Sequence, residues 1–304
     1  MNPKHIILTL LLMLCPIGMA AQSTITRHKP KPAVTKHKPA AKPKAKPKAK
    51  PAPRRNSTHH SSSTSSTNST SSTNSLSAEL NKLINNMVYV AGGTFTMGGT
   101  SEQGSDAYTD EKPTHNVTLS SYYICKYEVT QALWQAVMDS NPSKFKGDYR
   151  PVECVSWNDC QTFINRLNSY TGRKFRLPTE AEWEFAARGG NYSRHYKYSG
   201  SNNLDDVAWY GDNSGDRTHH VGIKQANELG LYDMSGNVWE WCSDWYGSYS
   251  SYSQNDPTGP NSGSYRMRRG GSWDNGAANC RSSNRYSPGD RFHTLGLRLV
   301  LSQL

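Results

Sequence analysis

In this 304-residue chain the bulk of the positive charge and the aromatic residues occupy different places. Residues 1–78 carry 13 Lys and Arg and no acid, while the chain from Glu79 onward carries 22 bases and all 24 acids. The formal charge of +11 is therefore +13 in the leading segment and −2 in the rest. All 8 Trp and all 17 Tyr lie beyond residue 86. Only that later part can bury enough apolar surface to offset chain entropy, and its length is ample for one core. The same separation argues against a basic nucleic-acid-binding domain, because the excess charge sits on a tail and not on a folded surface.

The leading segment has its own logic. Lys4 and His5 precede an apolar run from Ile6 to Leu14, and Gly18-Met19-Ala20 offers small residues for cleavage after Ala20. Residues 1–20 read as a signal peptide, which predicts export to the periplasm, the cell envelope or the medium. Leu14 stands before Cys15 where lipidation requires a small residue. Residues 27–55 repeat Lys-Pro and Ala-Lys-Pro, and residues 56–77 are almost all Ser, Thr and Asn. Proline removes donors, like charges repel and apolar content is missing, so 21–78 is expected to be a disordered stalk. It reads either as an inert spacer or as an electrostatic contact with an anionic envelope surface. No later segment is apolar enough to cross a bilayer, so no transmembrane segment is expected.

Three helices are punctuated in the remainder. Thr130 caps one through about Asp139, Asn158 a second through Tyr170 with Gly172 as its stop, and Thr179 with Glu182 forms a capping box for a third. Strands are predicted at Val88–Ala91, Thr94–Met97, Asn116–Leu119, Arg266–Arg269 and Leu295–Leu301. Few elements and long Gly/Asn/Ser-rich loops predict an irregular α+β domain. No period of 20–50 residues suggests repeats. Removing the signal leaves Cys125, Cys154, Cys160, Cys242 and Cys280, an odd set without zinc spacing.

Asp233, Gly236, Val238 and Glu240 fall within eight residues. Two hard carboxylates flank a turn able to aim main-chain carbonyls inward, a mix that suits calcium. The competing reading is an Asx-turn beside a solvated Glu. The arginines at 176, 188, 281, 285 and 298 read either as an anion pocket or as partners of Glu180, Glu182 and Glu184 that stack on Trp and fix loops. His219-His220 reads as an exposed pair, and His115 and His293 as ordinary strand-edge residues. Trp239, Trp241, Trp245 and Tyr246 fit either a core or a peptide or sugar groove.

Four stretches carry a family resemblance: MVYVAGGTFTMG at 87–98, PVECVSW at 151–157 joined to RLPTEAEWEFAARGG at 176–190, GLYDMSGNVWEWCSDW at 230–245, and RRGGSWDNGAANCRSSNR at 268–285 followed by Gly296-Leu297-Arg298. In this order they closely resemble the sulfatase-modifying factor family, founded on formylglycine generation. The resemblance covers 86–304 and implies a C-type-lectin-like fold low in regular secondary structure. It implies calcium held by Asp233 and Glu240 with the carbonyls of Gly236 and Val238, and a second calcium near Asp206, Val207 and Asp216.

Formylglycine-generating enzymes place two copper-binding cysteines five residues apart after the Gly-Gly-Ser. Here at most one remains, Cys280. Counted back from Gly296-Leu297-Arg298, it matches a later structural cysteine. Copper is therefore not expected. Ser272 and Trp239 match positions near the family's active site and, with Cys280, are the catalytic candidates if the chain is an enzyme. The comparison also leaves three roles for Cys280: a disulfide with Cys242, a free buried thiol or a reactive thiol. Two functions follow. One is a calcium-stabilised, non-catalytic envelope module that binds an exported protein or glycan. The other is a formylglycine-generating-type oxidoreductase acting on a cysteine of a sulfatase or another exported substrate.

Overall fold

The structure, a computed structural model, describes residues 67–287, 289 and 291–302. The signal peptide and the Lys/Pro segment lie outside the described residues. The Ser/Thr/Asn tract does not continue as a stalk to residue 78, because helix α1 spans Thr67–Asn85. Its second half explains why. Leu76, Leu80 and Ile84 pack on the main apolar cluster and Leu83 is buried in it, spacing that makes one helical face. The folded part therefore starts before residue 86.

Short strands follow in three small sheets. β1 (Met87–Val90) pairs antiparallel with β4 (Tyr122–Cys125), and β2 (Gly93–Met97) with β3 (His115–Leu119). Helix α2 (Gln131–Met138) starts where Thr130 Oγ1 accepts the Leu133 amide. Helix α3 (Trp157–Thr171) is capped by Ser156 and not by Asn158, because Ser156 and Asp159 exchange bonds as a capping box. Strand β5 (Phe175–Arg176) leads into helix α4 (Glu180–Ala187), which has the expected Thr179/Glu182 box. All eight residues of α4 are buried, so it runs through the interior. A single turn, α5, covers Leu204–Val207.

Strand β6 (Trp239–Trp245) pairs with β8 (Arg266–Arg269), which pairs with β9 (Arg285–Tyr286). β7 (Gln254–Asn255) joins β3 in parallel. The strand expected over Leu295–Leu301 is two. β10 (Leu295–Gly296) runs parallel to β6, and β11 (Val300–Leu301) is antiparallel to β4 and β5. The sheet orders are β1-β4-β11-β5, β10-β6-β8-β9 and β2-β3-β7.

With so little ladder, buried ion pairs tie the loops together. Arg298 and Glu240 are both fully buried, with Nη2 2.7 Å from Oε1. Arg281 Nη1 lies 2.9 Å from Glu111 Oε2. Arg285 reaches Glu180 at 2.7 Å, and Arg269 binds both Glu180 and Glu184. Arg188 bridges Glu184 and Glu102, and Arg176 holds Glu182. Of the two readings of the arginine set, loop fixing is the one observed, with Glu111 and Glu240 as additional partners.

All five cysteines beyond the leader are free thiols. The Cys242–Cys280 disulfide is not formed. Cys242 sits in the cluster of Met267 and Val300, whereas Cys280 sits in a separate one with Tyr198 and Leu204.

Leu83→Ala should cost about 2–5 kcal/mol in urea unfolding, the range for a buried leucine. The exposed Lys82→Ala should cost under about 1 kcal/mol. Equal small losses would mean that α1 is not part of the cooperative unit.

Candidate functional site

The turn at 230–240 folds as it does because four residues adopt positive φ: Gly230 (77°), Asp233 (57°), Gly236 (82°) and Asn237 (57°). Position 236 must be glycine, since a Cβ there would lie 2.3 Å from the Trp209 carbonyl oxygen. Asn237 then becomes a hub. Its amide nitrogen donates to Glu128 at 2.7 Å, its side-chain oxygen accepts the His219 amide at 2.9 Å, and its backbone N–H meets Trp209 O at 2.8 Å. The Val238 N–H donates to Glu128 Oε1 at 3.1 Å.

Glu128, Asp233 and Glu240 are all buried around this turn. Glu240 is fully engaged, accepting from Arg298 and from Trp183 Nε1 at 2.7 Å. Asp233 Oδ2 accepts the Gly222 amide at 2.7 Å, but its Oδ1 is buried and has no partner among the described residues. Burial pushes the Asp233 carboxyl up to about 6. Burial also pushes Glu128 well above the usual carboxylate range, helped by Asp233 and Glu240. The solvated-Glu reading of Glu240 is therefore excluded. Among the described residues no three His, Cys, Asp or Glu side chains gather as a metal cluster, so a cation here needs main-chain oxygens. Glu128 was missed by sequence reasoning; the Glu-Val-Thr before α2 carries no spacing that points to residue 237.

The residues expected at a second calcium separate into different roles. The Asp206 carboxylate accepts from Asn203 at 2.9 Å and from Ser201 at 3.0 Å. Val207 is core, and Asp216 is exposed in a left-handed turn. His219 is half-buried, stacked on Trp209 at 3.8 Å, and its Nε2 lies 2.6 Å from Ser214 O. Burial lowers its pKa. His115 is buried against Tyr249.

Of the three catalytic candidates, Ser272 and Cys280 follow the glycine turn at 270–271 in sequence, and Trp239 opens β6, the strand that pairs with β8. Ser272 is fully buried, and its hydroxyl is within 2.8 Å of Asp274 Oδ1 and 2.7 Å of Asn275 Oδ1. Cys280 is fully buried. A Cβ on Gly271 would stand 2.8 Å from its sulfur, and burial pushes its thiol up to about 12. Trp239 is 4% exposed. The exposed groups nearby are two rings over a buried arginine. Arg268 is enclosed by the rings of Trp239 (5.2 Å), Tyr286 (4.7 Å) and Phe292 (5.9 Å). Among the described residues its Nε has no partner, and burial lowers its pKa. Tyr286 and Phe292 are 43% and 46% exposed. Trp273 donates to His293 O at 3.0 Å and meets Phe145 edge-on.

Residues 73–303 match the model of the Sulfatase-modifying factor enzyme 1-like domain. The chain belongs to this family. It is 39% identical over 226 residues to the chaperone protein LppX of Paenibacillus barcinonensis, covering 58% of this chain and 76% of that one. It is 29% identical over 249 residues to the serine/threonine-protein kinase Pkn1 of Chlamydia trachomatis, covering 71% of this chain but only 38% of the kinase. The formylglycine-generating enzyme of Thermomonospora curvata matches at 28% over 265 residues, 63% of this chain and 84% of the enzyme. Among solved structures, Treponema denticola variable protein 1 superposes with a TM-score of 0.65 at 37% identity, over 71% of this chain and 95% of that one. The mixed helix–sheet architecture is thus that of the sulfatase-modifying factor family.

One further carboxyl in this family domain is perturbed. Burial and the neighbouring Glu180 push Asp244 up to about 7, while its Oδ2 accepts the Glu180 amide at 3.0 Å. Its folded pKa stands above the unfolded value, so this contribution is present below about pH 4 and is lost as pH rises through about 7. Asp244→Asn should flatten the decline in unfolding free energy across that window. An unchanged pH profile would exclude Asp244 as its source.

Proposed function

We propose that this is an exported, non-catalytic binding module. Its ligand face is the C-terminal surface around Arg268, Tyr286 and Phe292, and its ligand is an exported protein or glycan. The supporting observation is Cys280. It is the only cysteine in 268–285, it is fully buried, and its thiol is held neutral at about 12. A two-thiolate Cu(I) site needs a second cysteine that this segment does not supply. Ser272 is likewise enclosed and hydrogen-bonded. The half-exposed rings over a guanidinium whose Nε has no partner among the described residues suit recognition instead, since aromatic and Arg side chains anchor interfaces. Export rests on the leader read at 1–20 and accords with the absence, among the described residues, of a helix long and apolar enough to cross a membrane.

The test is conversion of a Cys-x-Pro-x-Arg peptide by the mature chain with and without Cu(I), followed by mass spectrometry. The cysteine should stay unmodified. Aldehyde formation above the copper-only background would establish the oxidoreductase reading and overturn this one.

Calcium is assigned to the 233–240 turn as part of the scaffold. The residues fit in part. Asp233 Oδ1 is buried and unpartnered, and the carbonyls of Gly236 and Val238 would complete the set with Glu240. Glu240 would share its carboxylate with Arg298 and Trp183. Calcium at about 100 times its Kd would stabilise the fold by about 2.7 kcal/mol. That shift should appear in thermal unfolding and vanish in Asp233→Ala. A shift equal in both proteins would remove calcium from this turn.

A further inference from the structure

A second charged feature lies away from the Arg268 surface. Lys144, Phe145, Lys146 and Arg150 on one loop and Gly215, Asp216 and Arg217 on another line an open groove of about 720 Å³. Four cations face one carboxylate. None of the four makes an ion pair among the described residues. Their contacts are to neutral groups. Lys146 donates to Asn141 O at 2.7 Å, Arg217 to Gly215 O at 3.1 Å and Arg150 to Thr218 Oγ1 at 3.4 Å, and Lys144 lies 4.9 Å over the Phe145 ring. In a folded part whose net charge is −2, this is a local inversion of sign.

Both walls are fixed from beneath. The buried Gln131 donates to Phe145 O at 2.8 Å and accepts the Gly147 amide at 3.1 Å. Glu153 accepts the Phe145 amide at 2.8 Å. Opposite, Ser214 Oγ donates to Trp273 O at 2.7 Å, and Thr218 is fully buried. These anchors restrict how far the loops can splay to relieve repulsion among the cations. A bound anion relieves it, and the fixed geometry lowers the ordering cost of binding.

We infer that this groove binds a carboxylated or sulfated polysaccharide chain. The volume exceeds what one anionic group fills, and cations on facing walls suit anions spaced along a strand. Phe145 offers no free ring for stacking a nucleobase, since Lys144 covers a face and Trp273 meets it at 5.4 Å. The lining holds no apolar side chain besides Phe145 to insert into a membrane or seat a peptide anchor. The inference is independent of the Arg268 face and of whether the domain is catalytic.

The test is lysine acetylation of the mature full chain, read residue by residue by mass spectrometry, so that tail lysines are scored separately. A heparin or chondroitin sulfate hexasaccharide should slow labelling of Lys144 and Lys146 several-fold and leave Lys224 unchanged. Lys144→Glu combined with Arg217→Glu, both at exposed positions, should abolish protection of Lys146. It should also reduce the slope of log affinity against log salt by about 1–2 on low-salt titration. Equal labelling with and without the hexasaccharide overturns the site. Equal protection by neutral dextran overturns the charge argument. Stronger protection by oligo-dT, poly-Glu or phosphatidylglycerol vesicles overturns the polysaccharide assignment.

Discussion

Glu240 and Arg298 meet inside the protein with no exposed surface on either side chain. Much of the fold depends on that pair. Arg298 also donates to Cys125 O at 2.9 Å and to Tyr232 O at 2.8 Å, so one guanidinium joins β4, β6, the 230–240 turn and the C-terminal strand pair. It also explains why the last apolar run breaks into β10 and β11. Of the three residues between them, Arg298 is the one that reaches Glu240. Removing either partner would strand a buried charge, which costs about 3–5 kcal/mol. Arg269, Arg281 and Arg285 repeat the device elsewhere, each joining segments far apart in sequence. In a domain with so few ladder bonds, these contacts take over part of the role of secondary structure.

The elements with local signals were legible from sequence. Thr130 and the Thr179/Glu182 box each rest on a bond within three residues, and both helices start where those residues say. Ser156 was confused with Asn158 because both are good caps and only the fold shows which one Asp159 answers. β6 was missed because it is buried on both faces, so Trp239–Trp245 has no alternation to read. α1 was missed because the Ser/Thr/Asn tract masks the 76, 80, 83, 84 spacing that anchors its second half. The site was legible in motif but not in partnership. Asp233 and Glu240 stand out by type and spacing. That Glu240 already has a cation, that Asp233 has none, and that Glu128 closes the turn from 109 residues away in sequence all depend on tertiary contacts.

The motif around 268–285 serves a similar double purpose. Gly270 (φ 100°) and Gly271 (φ 74°) let the backbone pass close over Cys280, and that closeness seals the thiol. The same path places Arg268 beneath Tyr286 and Phe292. One turn thus removes a nucleophile from solvent and sets a buried cation directly beneath two exposed rings.

The excursion from 247 to 264 has a different consequence. Its base is closed by Tyr246 N–H to Tyr265 O at 2.8 Å, and Asp256 ties its middle to Ser120 at 2.7 Å. Residues 258–265 beyond that tie are exposed throughout. Lengthening a loop whose ends are already fixed costs only about 0.6 kcal/mol per doubling. The stretch at 261–264 is therefore a natural place to splice in a foreign epitope or reporter peptide, displayed from a framework that does not register its length.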